Sequence, residues 1–150
     1  MNVYFVDTSA LAKRYIPEEG TDWVLRWILP DSGNVVVIGE LVDVEMFSLL
    51  NRRMREGKLG LQNFNILREN FLLHQENEYL IVPLDSTVVL QARNLINKYP
   101  LRTLDAIQLA CALQAVSALG VSMTFVSADN NLLAAAHAEG FVTDNPLSHP

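Results

Sequence analysis

Short apolar runs alternate with longer stretches of helical periodicity along the whole chain, and this limits the fold more than any other feature. The runs are Val3–Val6, Val35–Ile38, Tyr79–Val82 and Met123–Val126, with a shorter one at Phe141–Val142. Each is rich in β-branched or aromatic residues and is apolar almost without interruption, as a strand covered on both faces must be. Between them the apolar period lengthens to that of a helix. The pattern predicts helices over Ser9–Tyr15, Asp22–Leu29, Glu40–Glu56, Leu61–Gln75, Ser86–Lys98 and Leu104–Leu119, and a last one from Asp129 or Asn130 to Gly140. Thr21 and Thr103 stand where caps are wanted, and Pro17, Pro30, Gly57, Pro100, Gly120 and Gly140 stand at the stops. Such alternation predicts an α/β fold with a central, mostly parallel sheet of about five strands flanked by helices. At 150 residues, without repeats or linker-like tracts, the chain reads as a single domain over 1–150.

In sheets of this kind ligands bind outside the carboxyl ends of the strands. The first strand ends in Asp7, followed by Thr8 and Ser9. The strand ending at Val126 is followed by Ser127 and Asp129. If the two strands are neighbours, both acids reach one crevice. The structural alternative is that each carboxylate caps a following helix; for Asp7 this is less compelling, because Thr8 or Ser9 could cap unaided. Asp105 heads a stripe that continues through Leu109, Ala112 and Val116, so it sits on the inward face of its helix; otherwise it is a first-turn acid that bends back to solvent. Glu45 lies at the edge of the face carrying Val42, Met46, Leu49 and Leu50, with no Lys or Arg three or four residues on, or else is a surface acid.

Four acids in one cleft repel one another and raise their own pKa values. A divalent cation removes that penalty, and oxygen-only ligands favour Mg²⁺ or Mn²⁺ over zinc. His74, His137, His149 and the lone Cys111 lack zinc-ligand spacing, and Cys111 reads as a small core residue. No phosphate-binding glycine loop, dinucleotide fingerprint or serine-nucleophile elbow occurs. The formal charge of −6 argues against nucleic-acid binding by bulk charge, so any such contact needs a local basic patch, metal ions or a partner. The densest basic run is Arg52–Lys58, with Lys13, Arg14 and Arg102 closer to the crevice. The helix-end run has an equally simple reading as a solvated terminus. Trp23 and Trp27, one turn apart, read as core or interface anchors. One cysteine, no signal-like N-terminus and no long apolar span give the expectation of a cytoplasmic protein with no membrane segment.

The segments YFVDTSALAKRYIPEEG, LVDVEMFSLLNRRMREGKL, LRTLDAIQLACAL and FVSADNNLLAAAHAEGF, with Asn145-Pro146 after the last, resemble in order the signatures of PIN-domain proteins of the VapC toxin type. The resemblance implies a metal-dependent ribonuclease. Asp7, Glu45 and Asp105 match the three central acids and Asp129 a fourth, more variable one. Ser9 and Ser127 match supporting hydroxyls. It further implies a homodimer silenced by a small antitoxin whose C-terminal segment enters the active-site groove. Val42-Asp43 replaces the hydroxyl residue that many relatives carry before the glutamate.

The chemistry itself needs a hydroxide nucleophile, charge neutralisation on the phosphorane-like oxygens and help for the leaving oxyanion, all within reach of carboxylate-held Mg²⁺. The expected roles are Asp7 and Asp105 on the principal ion, Glu45 holding it through water or orienting the attacking water, and Asp129 completing that site or supporting a second. Two other readings remain at this stage. One is a PIN-fold protein-interaction module with little nuclease activity. The other is an Mg²⁺-dependent phosphoryl-transfer or phosphatase domain with an aspartyl nucleophile. That class commonly has a second acid two residues on, where Ser9 stands.

Overall fold

In the computed structural model, which describes residues 1–150, the strands are β1 (Val3–Val6), β2 (Val35–Gly39), β3 (Tyr79–Val82), β4 (Thr124–Val126) and β5 (Val142–Asp144). The helices are α1 (Thr8–Tyr15), α2 (Thr21–Ile28), α3 (Val42–Arg55), α4 (Leu61–Asn77), α5 (Ser86–Lys98), α6 (Thr103–Leu119) and α7 (Asn130–Ala138). Short 3₁₀ turns cover Pro30–Ser32 and Pro146–Ser148. All pairings are parallel, and the strand order is β3-β2-β1-β4-β5. No helix is long and apolar enough to cross a membrane.

The near-continuous apolar character of the strands follows from this arrangement, since each inner strand feeds two cores. On one side Phe5, Val37 and Phe125 pack with Leu95, Leu109 and Leu132 from α5, α6 and α7. On the other, Val6, Val36, Ile38 and Val126 pack with Leu11, Val24, Met46 and Phe71 from α1 to α4. Alternate residues of one strand point to opposite faces, so each strand contributes to both layers. Full burial of each such side chain is worth about 1.5–3 kcal/mol. Cys111 belongs to the first core and forms no disulfide. Trp27 is buried and stacks on Tyr4 with ring centroids 4.3 Å apart, while Trp23 stacks on His149 at 4.2 Å.

The strand order contains one reversal. From β1 the chain steps outward to β2 and β3, then returns through α5 and α6 to β4 on the other flank of β1, and ends at β5. The switch point therefore lies between β1 and β4, where doubly wound sheets open a binding crevice. Val6 pairs with Val126, and the Asp7 backbone N–H donates to the Val126 carbonyl at 3.2 Å. Asp7 and Ser127 thus leave adjacent strands at the same level.

Helix boundaries differ from the sequence reading where capping was assigned to the wrong residue. Asp7 itself is the N-cap of α1 and Asp129 that of α7. Thr21 is the first residue of α2 instead of its cap; its hydroxyl accepts from the Glu18 N–H at 3.0 Å and donates to the Lys13 carbonyl at 2.8 Å. The N-cap is Gly20, at φ +88°. Thr103 likewise begins α6 after Arg102. The last strand starts one residue later than expected, because Phe141 is drawn into the core.

Gly20 is the glycine the fold depends on most. A Cβ built there would lie 2.7 Å from the Pro146 carbonyl oxygen, whereas one at Gly33, also at positive φ, would meet nothing within 4 Å. Gly20→Ala is expected to lower stability by about 2 kcal/mol or more, from left-handed backbone strain plus the displaced Pro146 turn. Gly33→Ala should show only the backbone component, about 1 kcal/mol. Thermal denaturation of both variants beside the parent checks the ordering.

Candidate active site

Asp7 is positioned by two elements at once. It ends β1, whose backbone is locked into the sheet, and it caps α1. Its Oδ1 accepts from the Ala10 N–H at 3.0 Å and from Ser9 Oγ at 2.7 Å; its Oδ2 accepts from Ser127 Oγ at 2.6 Å. The residue is only 5 % exposed. Desolvation pushes its carboxyl up to about 6, against the pull of these three donors and with a further push from the charge of Asp105. Capping and site chemistry are therefore not alternatives here, since one carboxylate does both.

The two hydroxyls tie the β1 and β4 turns together. Ser127 Oγ accepts from the Asp129 N–H at 3.0 Å while donating to Asp7. Ser9 Oγ accepts from the Ala128 N–H at 2.9 Å and lies 3.4 Å from Ser127 Oγ. Asp129 Oδ1 accepts from the Asn131 and Leu132 N–H groups at 2.9 and 3.2 Å, which leaves Oδ2 to the crevice side.

Asp105 stands in the first turn of α6, half-buried. Burial and the neighbouring charge of Asp129 raise its pKa, and Arg102 opposes them. The Arg102 side chain, 85 % exposed, reaches both acids, with Nε 3.5 Å from Asp105 Oδ2 and Nη2 3.6 Å from Asp129 Oδ2. The sequence places Arg102 near the crevice, and the structure sets it between two of the acids.

Glu45 enters from α3, and two residues overlooked in the sequence hold it. Thr8 Oγ1 donates to Glu45 Oε1 at 2.9 Å, and Gln108 Nε2 donates to the same oxygen at 3.0 Å. Thr8 had no assigned role. Gln108 had a visible signal: it is the one polar side chain within the apolar run AIQLACAL, three residues after Asp105 and so on nearly the same helix face.

A groove of about 470 Å³ opens beside these groups, lined by Thr8, Ser9, Glu45, Lys13, Arg52 and Arg53 among others. Lys13 is buried and pairs with Glu18 at 3.1 Å, and Arg53 lies 3.7 Å from the same carboxylate. Arg14 is not part of this surface. It pairs with Glu78 at 2.6 Å and donates to Tyr79 Oη at 2.8 Å, in a polar cluster with Tyr15 and His74. The reason is helical geometry: one residue after Lys13, its side chain leaves α1 about 100° away.

The donor chemistry suits a hard divalent cation. Every candidate ligand is a carboxylate oxygen, Asp7 and Asp105 are shifted toward protonation by burial first and a neighbouring acid second, and one guanidinium already spans Asp105 and Asp129. The fit is chemical and not a preformed cage, because no three His, Cys, Asp or Glu side chains stand close enough together to hold one ion.

Comparison with known proteins identifies the fold and the family. The PIN domain family profile matches residues 4–138. Ribonuclease VapC47 of Mycobacterium tuberculosis (strain CDC 1551 / Oshkosh) is 33% identical over 144 residues, covering 95% of this chain and 96% of that protein. VapBC2 from Rickettsia felis, bound to a promoter DNA fragment, superposes with a TM-score of 0.66 at 11% identity, over 95% of this chain and 98% of that one. M. tuberculosis VapC20, a toxin that cleaves the sarcin-ricin loop, gives 0.63 at 20% identity, over 93% and 96%. FitAcB from Neisseria gonorrhoeae gives 0.63 at 17%, over 95% and 97%. The three structures share the fold.

The burial of Asp7 has a thermodynamic consequence. A carboxyl raised from 3.8 to about 6 keeps its proton longer in the folded protein than in the unfolded chain. Its contribution to stability is therefore full below pH ~4 and is lost as the pH rises through about 6, a swing of about 2–3 kcal/mol. In EDTA at pH 7.5, Asp7→Asn should melt above the parent, since Ser127 can accept from the new amide. The gap should close as the pH is lowered to about 4, and paired thermal melts across that range measure it.

Proposed function

This chain belongs to the PIN-domain family, as a VapC-type ribonuclease toxin of a toxin–antitoxin system, and on that footing we propose that it is a metal-dependent endoribonuclease acting through Asp7, Glu45, Asp105 and Asp129. The observation that carries this reading is the meeting, at the β1/β4 switch point, of a buried carboxylate with charge-coupled Asp105, beside a groove lined by basic side chains. Asp7 and Asp105 are the residues that would hold Mg²⁺ or Mn²⁺, with Glu45 and Asp129 beside them. The ion supplies a nucleophile at neutral pH and neutralises charge on the phosphoryl oxygens.

The chain's own residues do the rest. Ser9, Ser127 and the Ala10 N–H fix the Asp7 carboxylate so that it needs no reorganisation during reaction. Glu45, with Oε1 saturated by Thr8 and Gln108, has Oε2 available to orient a water or accept its proton. Arg102, on an exposed stem, moves from the acids to a substrate phosphate. Arg52 and Arg53 bind the RNA backbone along the groove, and Lys13 holds Glu18 at its wall. An aspartyl-nucleophile phosphatase is a poorer fit, because Ser9 stands where that class commonly has its second acid, and its hydroxyl is spent on the Asp7 carboxylate.

The same groove is the surface for a small antitoxin whose segment covers the acids, and the working form is a homodimer. The solved neighbours include a toxin–antitoxin complex from Klebsiella pneumoniae and the VapBC2 assembly, which favours a protein partner of this kind.

Cleavage of a panel of structured and single-stranded RNAs should need Mg²⁺ or Mn²⁺ and stop in EDTA. Asp7→Asn and Asp105→Asn should each lose at least about a hundredfold in kcat/KM. Full activity in EDTA, or parental rates in Asp7→Asn, would overturn the metal-dependent mechanism, and no cleavage of any RNA with Mg²⁺ or Mn²⁺ present would leave the protein-interaction reading in its place. Arg52→Ala with Arg53→Ala should instead raise KM several-fold with kcat little changed, and should weaken the salt dependence of binding.

A further inference from the structure

Gln108 is almost fully buried, at 4 % exposure, and only half of its amide is satisfied. Nε2 donates to Glu45 Oε1 at 3.0 Å and reaches Thr8 Oγ1 at 3.5 Å. Oε1 has no hydrogen-bond partner. A buried acceptor left unpaired costs about 1–3 kcal/mol, and such groups in native proteins call for a reason. Packing alone does not supply one, since Leu or Met would fill the same site on the apolar side of α6 without that penalty.

The orientation of the amide is determined by its neighbours. Turned over, its carbonyl would face the Glu45 carboxylate. As it stands, one N–H₂ group serves an anion, and the single Thr8 proton goes to the same anion. Both donors converge on Oε1, so the carboxylate is held by one oxygen and Oε2 is left without a protein partner at the groove. Gly39, at the end of β2, is the backbone neighbour of this amide: an added Cβ would sit 3.4 Å from Gln108 Oε1, an ordinary contact, and 3.2 Å from Cys111 Sγ, a tight one.

We infer that Gln108 is a positioning residue for the reaction: with Thr8 it holds Glu45 by one carboxylate oxygen so that the other faces the attacking water. This rests on the nuclease reading above. It also connects two acids through one helix, because Asp105 and Gln108 lie on nearly the same face of α6 while Glu45 comes from α3. Displacing a reacting group by as little as 1 Å can cost a hundredfold in rate.

The test uses Gln108→Met, which keeps side-chain length and apolar packing. Its kcat on an RNA that the parent cleaves should fall about tenfold to a hundredfold, with KM within twofold. Its melting temperature should equal or exceed the parent's, because the unpaired acceptor is gone. Gln108→Glu, which sets a carboxylate against Glu45, should be at least as slow. In single-turnover reactions with Glu45→Gln as background, adding Gln108→Met should cost nothing further. In the parent's ¹⁵N–¹H spectrum the Gln108 side-chain amide protons should exchange slowly, and Glu45→Gln should shift them. A parental kcat in Gln108→Met overturns the inference. So does an equal loss in the Glu45→Gln background, or a fall in melting temperature that accounts for the lost activity. If Asp7→Asn and Glu45→Gln cleave as fast as the parent, the nuclease reading itself fails, and this inference with it.

Discussion

The burial of one carboxylate organises this molecule. Asp7 is carried out of solvent by β1, the central strand, whose Phe5 and Val6 have no exposed surface. Nothing in the apolar layers can compensate a desolvated charge, so the chain surrounds it with donors: two hydroxyls and one helix N-terminal N–H. Each donor fixes a piece of backbone. Ala10 N–H sets the start of α1, Ser9 ties that turn to Ala128, and Ser127 ties the β4 turn to both Asp7 and Asp129. The switch point is thus closed by polar bonds around a single anion. The three donors do not fully offset its burial, since the carboxyl still lies near 6. A cation held as proposed would relieve that residual cost.

The other acids are arranged by the same logic at lower burial. Asp129 is held by two N–H groups of α7 on one oxygen and Glu45 by Thr8 and Gln108 on one oxygen; the second oxygen of Glu45 has no protein partner, and that of Asp129 has only the Arg102 guanidinium. Asp105 alone has no neutral donor and takes the exposed Arg102 instead. An exposed guanidinium at 3.5 to 3.6 Å from two carboxylates is a weak tether, worth little after screening. It can be displaced by a more concentrated positive charge at small cost, as the proposed metal-bound form requires.

Much of this was legible from residue order. The five strands and seven helices follow from apolar period and stop signals, because an inner parallel strand covered on both faces leaves an unambiguous trace in Val3–Val6 or Val35–Ile38; the edge strand Tyr79–Val82 is as apolar in sequence, yet its Leu80 and Ile81 are exposed. That Asp7 and Asp129 flank neighbouring strands rested on a pairing that sequence could pose but not decide, and the β1–β4 register settles it. What stayed hidden depended on side-chain direction. Arg14 and Lys13 are adjacent in sequence yet serve opposite sides of α1, one in the Tyr15–His74–Tyr79 cluster and one in the groove. Capping was misassigned at Thr21 and Thr103 because a good cap residue is also a good first-turn residue. The long-range bond from the Thr21 hydroxyl to the Lys13 carbonyl cannot be read locally.

Gln108 shows why the polar exceptions in an apolar helix repay more scrutiny than its charged ends. Asp105 sits in a first turn, where helix dipole and solvent offer an ordinary explanation for an acid. Gln108 is three residues deeper, between Ile107 and Leu109, where neither explanation operates. An amide there must either be fully paired or be retained for what its paired half does. Its carbonyl is unpaired and its N–H₂ group is on Glu45, so the asymmetry itself identifies the partner. A core position that keeps an unsatisfied acceptor is under a constraint that packing does not impose. The nearest group able to impose it is the Glu45 carboxylate.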